Sequence, residues 1–153
     1  LYCGFYMNEL LERLLYRHDP HPDVFLSYTH CLSELERDAP LEPTLRRFEF
    51  SLLESLGYGV NLTFCAHSSE VVQSDAHYRF DAGEGFVHVA EGAPGLIFSG
   101  ADLLQLAADE YNDTTLRAAK KLSRQLLQPL LGDKPLQSRA LFANSGVSTK
   151  VDL

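Results

Sequence analysis

No Gly-x-Ser-x-Gly elbow, phosphate-binding loop or His-Glu-x-x-His helix occurs in the 153 residues, so the familiar hydrolase, nucleotide-splitting and metalloprotease chemistries lack their residues. Apolar runs are only a few residues long, which excludes a membrane-spanning helix. Cys3, Cys31 and Cys65 are the only cysteines and form no Cys-x-x-Cys pair. That usage points to a reducing compartment and argues against a disulfide framework. No positive stretch precedes an apolar one at the start, where Glu9 and Glu12 interrupt the pattern, so no signal peptide is read. Basic residues are scarce, 13 against 21 acidic ones, for a net charge of −8. Wrapping nucleic acid over the whole surface is thereby excluded, and such a role needs a local basic patch. Repeats and low-complexity tracts are absent. The opening at Leu1 rather than Met reads as a piece of a longer protein.

What is present is a globular composition, 45% apolar and 22% charged, enough for one domain or a domain with a small appendage. Tyr6, Leu10 and Leu14, with Leu11 and Leu15, recur at helical spacing between Glu9, Glu12, Arg13 and Arg17. They predict an amphipathic helix from Leu1 to His18, ended near Asp19-Pro20. Pro22-Asp23 opens a second helix carrying Phe25, Tyr28, Leu32 and Leu35, which fades at Asp38-Ala39-Pro40 because the residue before proline avoids helical backbone. A third begins around Pro43, with a stripe of Leu45, Phe48, Leu52, Leu53 and Leu56 and a Gly57 cap. The period then changes. Alternation in Tyr78-Arg79-Phe80 and Phe86-Val87-His88-Val89, around Asp81-Ala82-Gly83-Glu84-Gly85, predicts a hairpin in a β-rich stretch from 59 to 98. Helical signals resume after Ser99 as N-cap, and a further helix capped by Asp113 or Thr114 runs to Leu131 and stops at Gly132. A last helix is read from Pro135 to Ala143. The expected fold is mainly α: a helical bundle, 1–58 and 99–143, interrupted by a small β-rich insertion, 59–98, and followed by a polar tail, 144–153.

The sharpest chemical signal lies after Asp113. Arg117, Lys120, Lys121 and Arg124 fall within roughly 100° of a helical wheel, opposite Leu116, Ala119, Leu122, Leu126 and Leu130. With Lys134 and Arg139, the stretch 117–139 carries +5 and the rest of the chain −13. Such a face is either a solvated helix surface or a contact for phosphates. The pair Arg46-Arg47, beside Leu45 and Phe48, suits a peptide carboxylate; alternatively one arginine pairs with Glu49 or Glu42 while Phe48 packs inward. Cys65, His67, His77 and His88 can be written as zinc ligands, but their spacing is not that of structural zinc sites, and Cys65 reads as a small buried residue. Asp75 and His77 could serve a small metal-dependent hydrolase only with a nucleophile or metal the pattern does not supply. No catalytic residue, metal or cofactor is expected.

Several strings resemble the RecO family of bacterial recombinational repair proteins, in its gammaproteobacterial branch. They are Leu1-Tyr2-Cys3-Gly4-Phe5-Tyr6-Met7-Asn8-Glu9-Leu10-Leu11, Leu45-Arg46-Arg47-Phe48-Glu49, Leu56-Gly57-Tyr58-Gly59-Val60-Asn61-Leu62 and Leu131-Gly132-Asp133-Lys134-Pro135-Leu136-Gln137-Ser138-Arg139. The resemblance implies a non-enzymatic mediator in the cytoplasm, at the nucleoid, whose N-terminal OB-fold domain would precede Leu1. It implies binding and annealing of single- and double-stranded DNA, capture of the acidic C-terminal tail of single-stranded-DNA-binding protein, and loading of RecA together with RecR. Arg46 and Arg47 match the family's paired arginines, one of which is expected near the tail's carboxylates. Lys134 and Arg139 match its Gly-Gly-Lys-Pro-Leu-Lys-Ser-Arg pattern, in which Asp133 and Gln137 here replace a glycine and a lysine. Ser68 stands where many relatives have a second cysteine after Cys65, implying a degenerate, metal-free zinc-ribbon-like module. The alternative is a helical protein-interaction adaptor with no nucleic-acid role.

Overall fold

The computed structural model describes residues 2–16 and 18–144. Leu1, Arg17 and the expected polar tail beyond 144 lie outside the described residues. The elements are α1 (Tyr2–Leu14), α2 (Pro22–Glu36), α3 (Leu41–Ser55), β1 (His77–Asp81), β2 (Gly85–Val89), β3 (Ile97–Ser99), α4 (Gly100–Ala107), α5 (Asp113–Leu131) and α6 (Gln137–Asn144). The protein is mainly helical with one small antiparallel sheet.

Local chemistry accounts for most of these boundaries. Helix α1 stops short of the expected His18: after the bond from Leu15 N to Leu11 O at 3.0 Å, His18 takes φ 71°, and Asp19 N donates to Tyr16 O. In α3, Pro43 sits in the first turn, where a missing amide leaves no bond unmade. That helix ends in a Schellman motif. Gly57, at φ 85°, donates to Glu54 O, and Tyr58 N reaches Leu53 O at 2.8 Å. Ser99 caps α4 as expected, its hydroxyl accepting from Asp102 N at 3.1 Å. The cap of α5 is neither Asp113 nor Thr114 but Asn112, whose Oδ1 accepts from the amides of Thr114 and Thr115. Asn112 N in turn donates to Thr115 Oγ1 at 2.6 Å, a capping box with threonine in the usual glutamate place.

The chain divides into two compact units, residues 1–58 with 126–153, and residues 59–125. The second unit therefore runs past 98, taking in α4 and the front of α5.

In the first unit, α2 packs on α3 and α1 on α6. The apolar stripes meet as a core of Tyr6, Met7, Leu10, Leu45, Phe48, Leu52, Leu53, Leu127 and Leu136, among others. Charge is buried with them. Glu49 is fully enclosed; its carboxylate accepts from Tyr6 Oη at 2.5 Å and pairs with Arg46 Nη1 at 2.8 Å. Burial first, and then the Glu49 charge and hydrogen bond, push the Tyr6 phenol well above its ordinary range. Burial and the nearby Glu34 likewise push the Cys31 thiol up to about 12. Cys3, Cys31 and Cys65 are all free and buried.

In the second unit, β1 pairs with β2 through the expected hairpin, Tyr78 opposite His88 and Asp81 opposite Gly85. The third strand lies on the other side of β1, giving the order β2-β1-β3. Phe86 bridges the aromatic core, its ring 5.3 Å from Phe80 and 5.4 Å from Phe98 between centroids. Gly100 begins α4 where a side chain has no room, because a Cβ there would lie 1.8 Å from the Gln73 carbonyl oxygen.

Two stability measurements follow from this packing. Gly100→Ala forces the 73–76 turn away from α4 and lowers the urea unfolding free energy by about 1–3 kcal/mol. Tyr6→Phe removes a donor from a sealed carboxylate and costs about 1–3 kcal/mol near neutral pH. Because the phenol is harder to ionise folded than unfolded, wild-type stability falls as pH rises past about 10, and urea titrations show a flatter alkaline limb in Tyr6→Phe.

Candidate nucleic-acid and peptide contact residues

Helix α5 separates its two sides as its sequence period requires. Thr115, Ala118, Ala119, Leu122, Ser123 and Leu127 are buried, whereas Arg117, Lys121, Arg124, Gln125 and Gln128 are exposed and Lys120 is half-buried. Arg117 and Arg124, two turns apart, point within about 20° of each other.

Lys121 has a second task. Its Nζ donates to the Ile97 carbonyl at 3.0 Å and sits 4.8 Å from the centre of the Phe98 ring. A cation at one edge of the phosphate-facing arc thus pins β3 to α5, while Arg117 and Arg124 are exposed nearer its centre.

The paired arginines of α3 take opposite fates. Successive helical residues point about 100° apart, so one turns inward. Arg46 is the inward one, only 2% exposed and held by Glu49. It cannot meet a partner's carboxylate at the surface, which corrects the expectation for that member of the pair. The competing reading, an arginine on Glu49 with Phe48 in the core, describes it instead. The Arg47 side chain is 39% exposed, with its Nη1 at a long 3.9 Å from Glu34 Oε2.

Lys134 and Arg139 lie in the first unit and are exposed, on the α5–α6 connection and on α6. Their segment is gripped by two residues of α1. Arg13 Nη2 donates to the carbonyls of Leu131 at 2.6 Å and Lys134 at 2.7 Å, and its Nη1 to Pro135 at 3.4 Å. Glu9, one turn earlier, accepts from the amides of Gln137 at 2.7 Å and Ser138 at 2.8 Å. Partial burial raises the Glu9 carboxyl, but the bonds from Ser138 and Gln137 outweigh it and leave the group below its usual range. Beside this grip an open cleft of about 520 Å³ lies between α1 and α6, with Phe5 and Leu141 among the residues lining it. In the sequence Glu9 and Arg13 mark only the polar side of a helix. An i, i+4 acid–base pair usually signals a local ion pair, and nothing nearby marks backbone partners more than a hundred residues away.

The zinc and hydrolase candidates do not converge. His67 pairs with Glu84 at 2.8 Å, the His88 ring lies 5.6 Å from Tyr78, Cys65 is buried, and Asp75 is exposed in the turn before β1. Among the described residues no three His, Cys, Asp or Glu side chains form a group able to hold a metal ion. No helix among them is long and apolar enough to cross a membrane.

Lys121→Ala should lower the stability of its unit by about 1 kcal/mol in thermal unfolding, losing both the hydrogen bond and the ring contact. Arg117→Ala should stay within about 0.5 kcal/mol of wild type.

Comparison with known proteins identifies the family. The profile of the family described as recombination protein O C terminal matches residues 1–140. The DNA repair protein RecO of Haemophilus influenzae is 46% identical over 146 residues, covering 95% of this chain and 61% of that protein. Those of Cellvibrio japonicus and Shigella flexneri are each 46% identical over 144 residues, covering 93% of this chain and 61% and 59% of theirs. The chain thus spans about three fifths of the curated relatives it matches. It belongs to the RecO family, as the family's C-terminal region.

Proposed function

We propose that this chain is the helical docking part of a non-enzymatic recombinational DNA-repair mediator. It binds the acidic C-terminal tail of single-stranded-DNA-binding protein through Arg47, and contacts single- and double-stranded DNA through Arg117, Lys120, Arg124, Lys134 and Arg139. Alongside RecR, it helps to anneal strands and load RecA. The observation that carries the reading is the segregation of charge: exposed cations gather on 117–139 of a chain whose remainder is strongly acidic. The exposed arginines of α5 suit phosphates, and a carboxylate tail suits a half-exposed guanidinium beside an apolar core. Binding through this chain alone is weak and falls steeply with salt.

A titration with a fluorescent peptide ending Asp-Ile-Pro-Phe tests the tail site. Arg47→Ala should weaken binding by about tenfold or more, the worth of a charge-assisted hydrogen bond. Arg46→Ala should instead cost about 3–5 kcal/mol of stability, because it strands a buried carboxylate. Unchanged peptide affinity in a folded Arg47→Ala removes this residue from the tail site. For DNA, Arg117→Glu with Arg124→Glu should flatten the dependence of log affinity on log salt by about 2. A helical adaptor without nucleic-acid role is the competing reading, favoured by Phe25 and Leu26, which are 66% and 64% exposed on α2. It predicts no change in that slope.

A further inference from the structure

We infer that Glu9 and Arg13 are positioning residues that set the exposed cations of the 131–139 segment for contact with a nucleic-acid backbone, an inference that rests on the DNA-binding reading above. The segment has little of its own to hold it. Gly132, at φ 66°, breaks the helix, Pro135 has no amide to donate, and α6 is only eight residues long. Besides Gln128 Nε2, which donates to the Gly132 carbonyl at 3.2 Å, what fixes it comes from α1. The Arg13 guanidinium takes three carbonyls of the turn, those of Leu131, Lys134 and Pro135. One of these belongs to Lys134 itself, so the backbone from which that side chain projects is held directly. The Glu9 carboxylate takes the first two amides of α6, which carries Arg139.

Each charge also has the sign its helix end favours. The guanidinium lies at the carbonyl end of α5 and the carboxylate at the amide end of α6, so both complement the local backbone dipoles. Buried Leu136 closes the connection from the core side. A guanidinium is suited to this task because its planar fork addresses several carbonyls at once, which an ammonium on a flexible stem cannot reproduce. With the clamp intact, Lys134 and Arg139 meet successive phosphates without first giving up the conformational freedom of a loose connection.

The clamp and net charge make different predictions. Glu9→Gln removes a negative charge, so net charge alone predicts tighter DNA binding, whereas loss of the clamp predicts weaker binding. Arg13→Lys leaves the charge unchanged, so net charge alone predicts no effect. The experiment measures amide exchange at Gln137 and Ser138, and the affinity of this chain for fluorescent single-stranded DNA across a salt series. It compares wild type, Glu9→Gln, Arg13→Lys, Lys134→Ala/Arg139→Ala, and each clamp variant combined with that double substitution, with circular dichroism verifying the remaining helices. We expect faster exchange at both amides and a salt slope shallower by about 1 in each clamp variant, with no further change on top of Lys134→Ala/Arg139→Ala. Exposed amides with an unchanged slope, or an equal loss in both backgrounds, overturns the positioning role while leaving the DNA reading in place. A slope that Lys134→Ala/Arg139→Ala itself does not move overturns both.

Discussion

Glu49 is a carboxylate cut off from water, and the first unit is organised around keeping it satisfied. An isolated buried charge costs several kcal/mol, so its two partners are obligatory rather than decorative. Arg46 supplies the opposite charge from one turn earlier in α3, and Tyr6 supplies a short hydrogen bond from α1. The triad therefore fixes which way both helices face. Leucine contacts alone would tolerate rotation or slippage of a helix about its axis, since one aliphatic side chain substitutes readily for another. A charged pair with one geometry does not.

Two consequences reach the surface. Because Arg46 is committed inward, its neighbour Arg47 is turned outward by helical geometry and becomes the exposed member of the pair. Because Tyr6 faces α3, Glu9 and Arg13, one and two turns further along α1, lie against the α5–α6 connection. A single helix thus presents a phenol to the core and a carboxylate and guanidinium to a backbone junction. Arg139 belongs to the same neighbourhood, since its charge is among those felt by the Tyr6 phenol.

In the second unit a cation serves a different purpose. Lys121 gives its ammonium to a strand carbonyl and an aromatic face, and so joins helix to sheet. A four-residue cationic arc on a helical wheel is therefore not four equivalent contacts. Charge counted from sequence overstates a binding surface wherever a side chain has a partner within its own unit, and the long stem of lysine makes such partners easy to find. The loop from Phe64 to Val71 is shaped by other means. A backbone bond from Cys65 N to Glu70 O, an isolated bridge between Phe64 and Val71, and the exposed His67–Glu84 pair hold it.

Short-range features were legible from the order of residues. The helical stripes, the turn at 81–85, the Gly57 and Ser99 caps and the stop at Gly132 depend on residues within a few positions of one another, where period and steric preference act directly. The cationic side of α5 was legible for the same reason. The start of α5 was displaced by a single residue because asparagine, aspartate and threonine follow one another there and all can cap. What sequence could not assign was direction and partnership across distance. That Arg46 turns inward, that Lys121 is pinned, that β3 flanks β1 and that Glu9 and Arg13 grip a segment more than a hundred residues away all follow from packing. A one-dimensional pattern records which side chains share a face. Only the folded chain decides what that face meets, because burial and hydrogen bonding are settled between segments that the sequence keeps far apart.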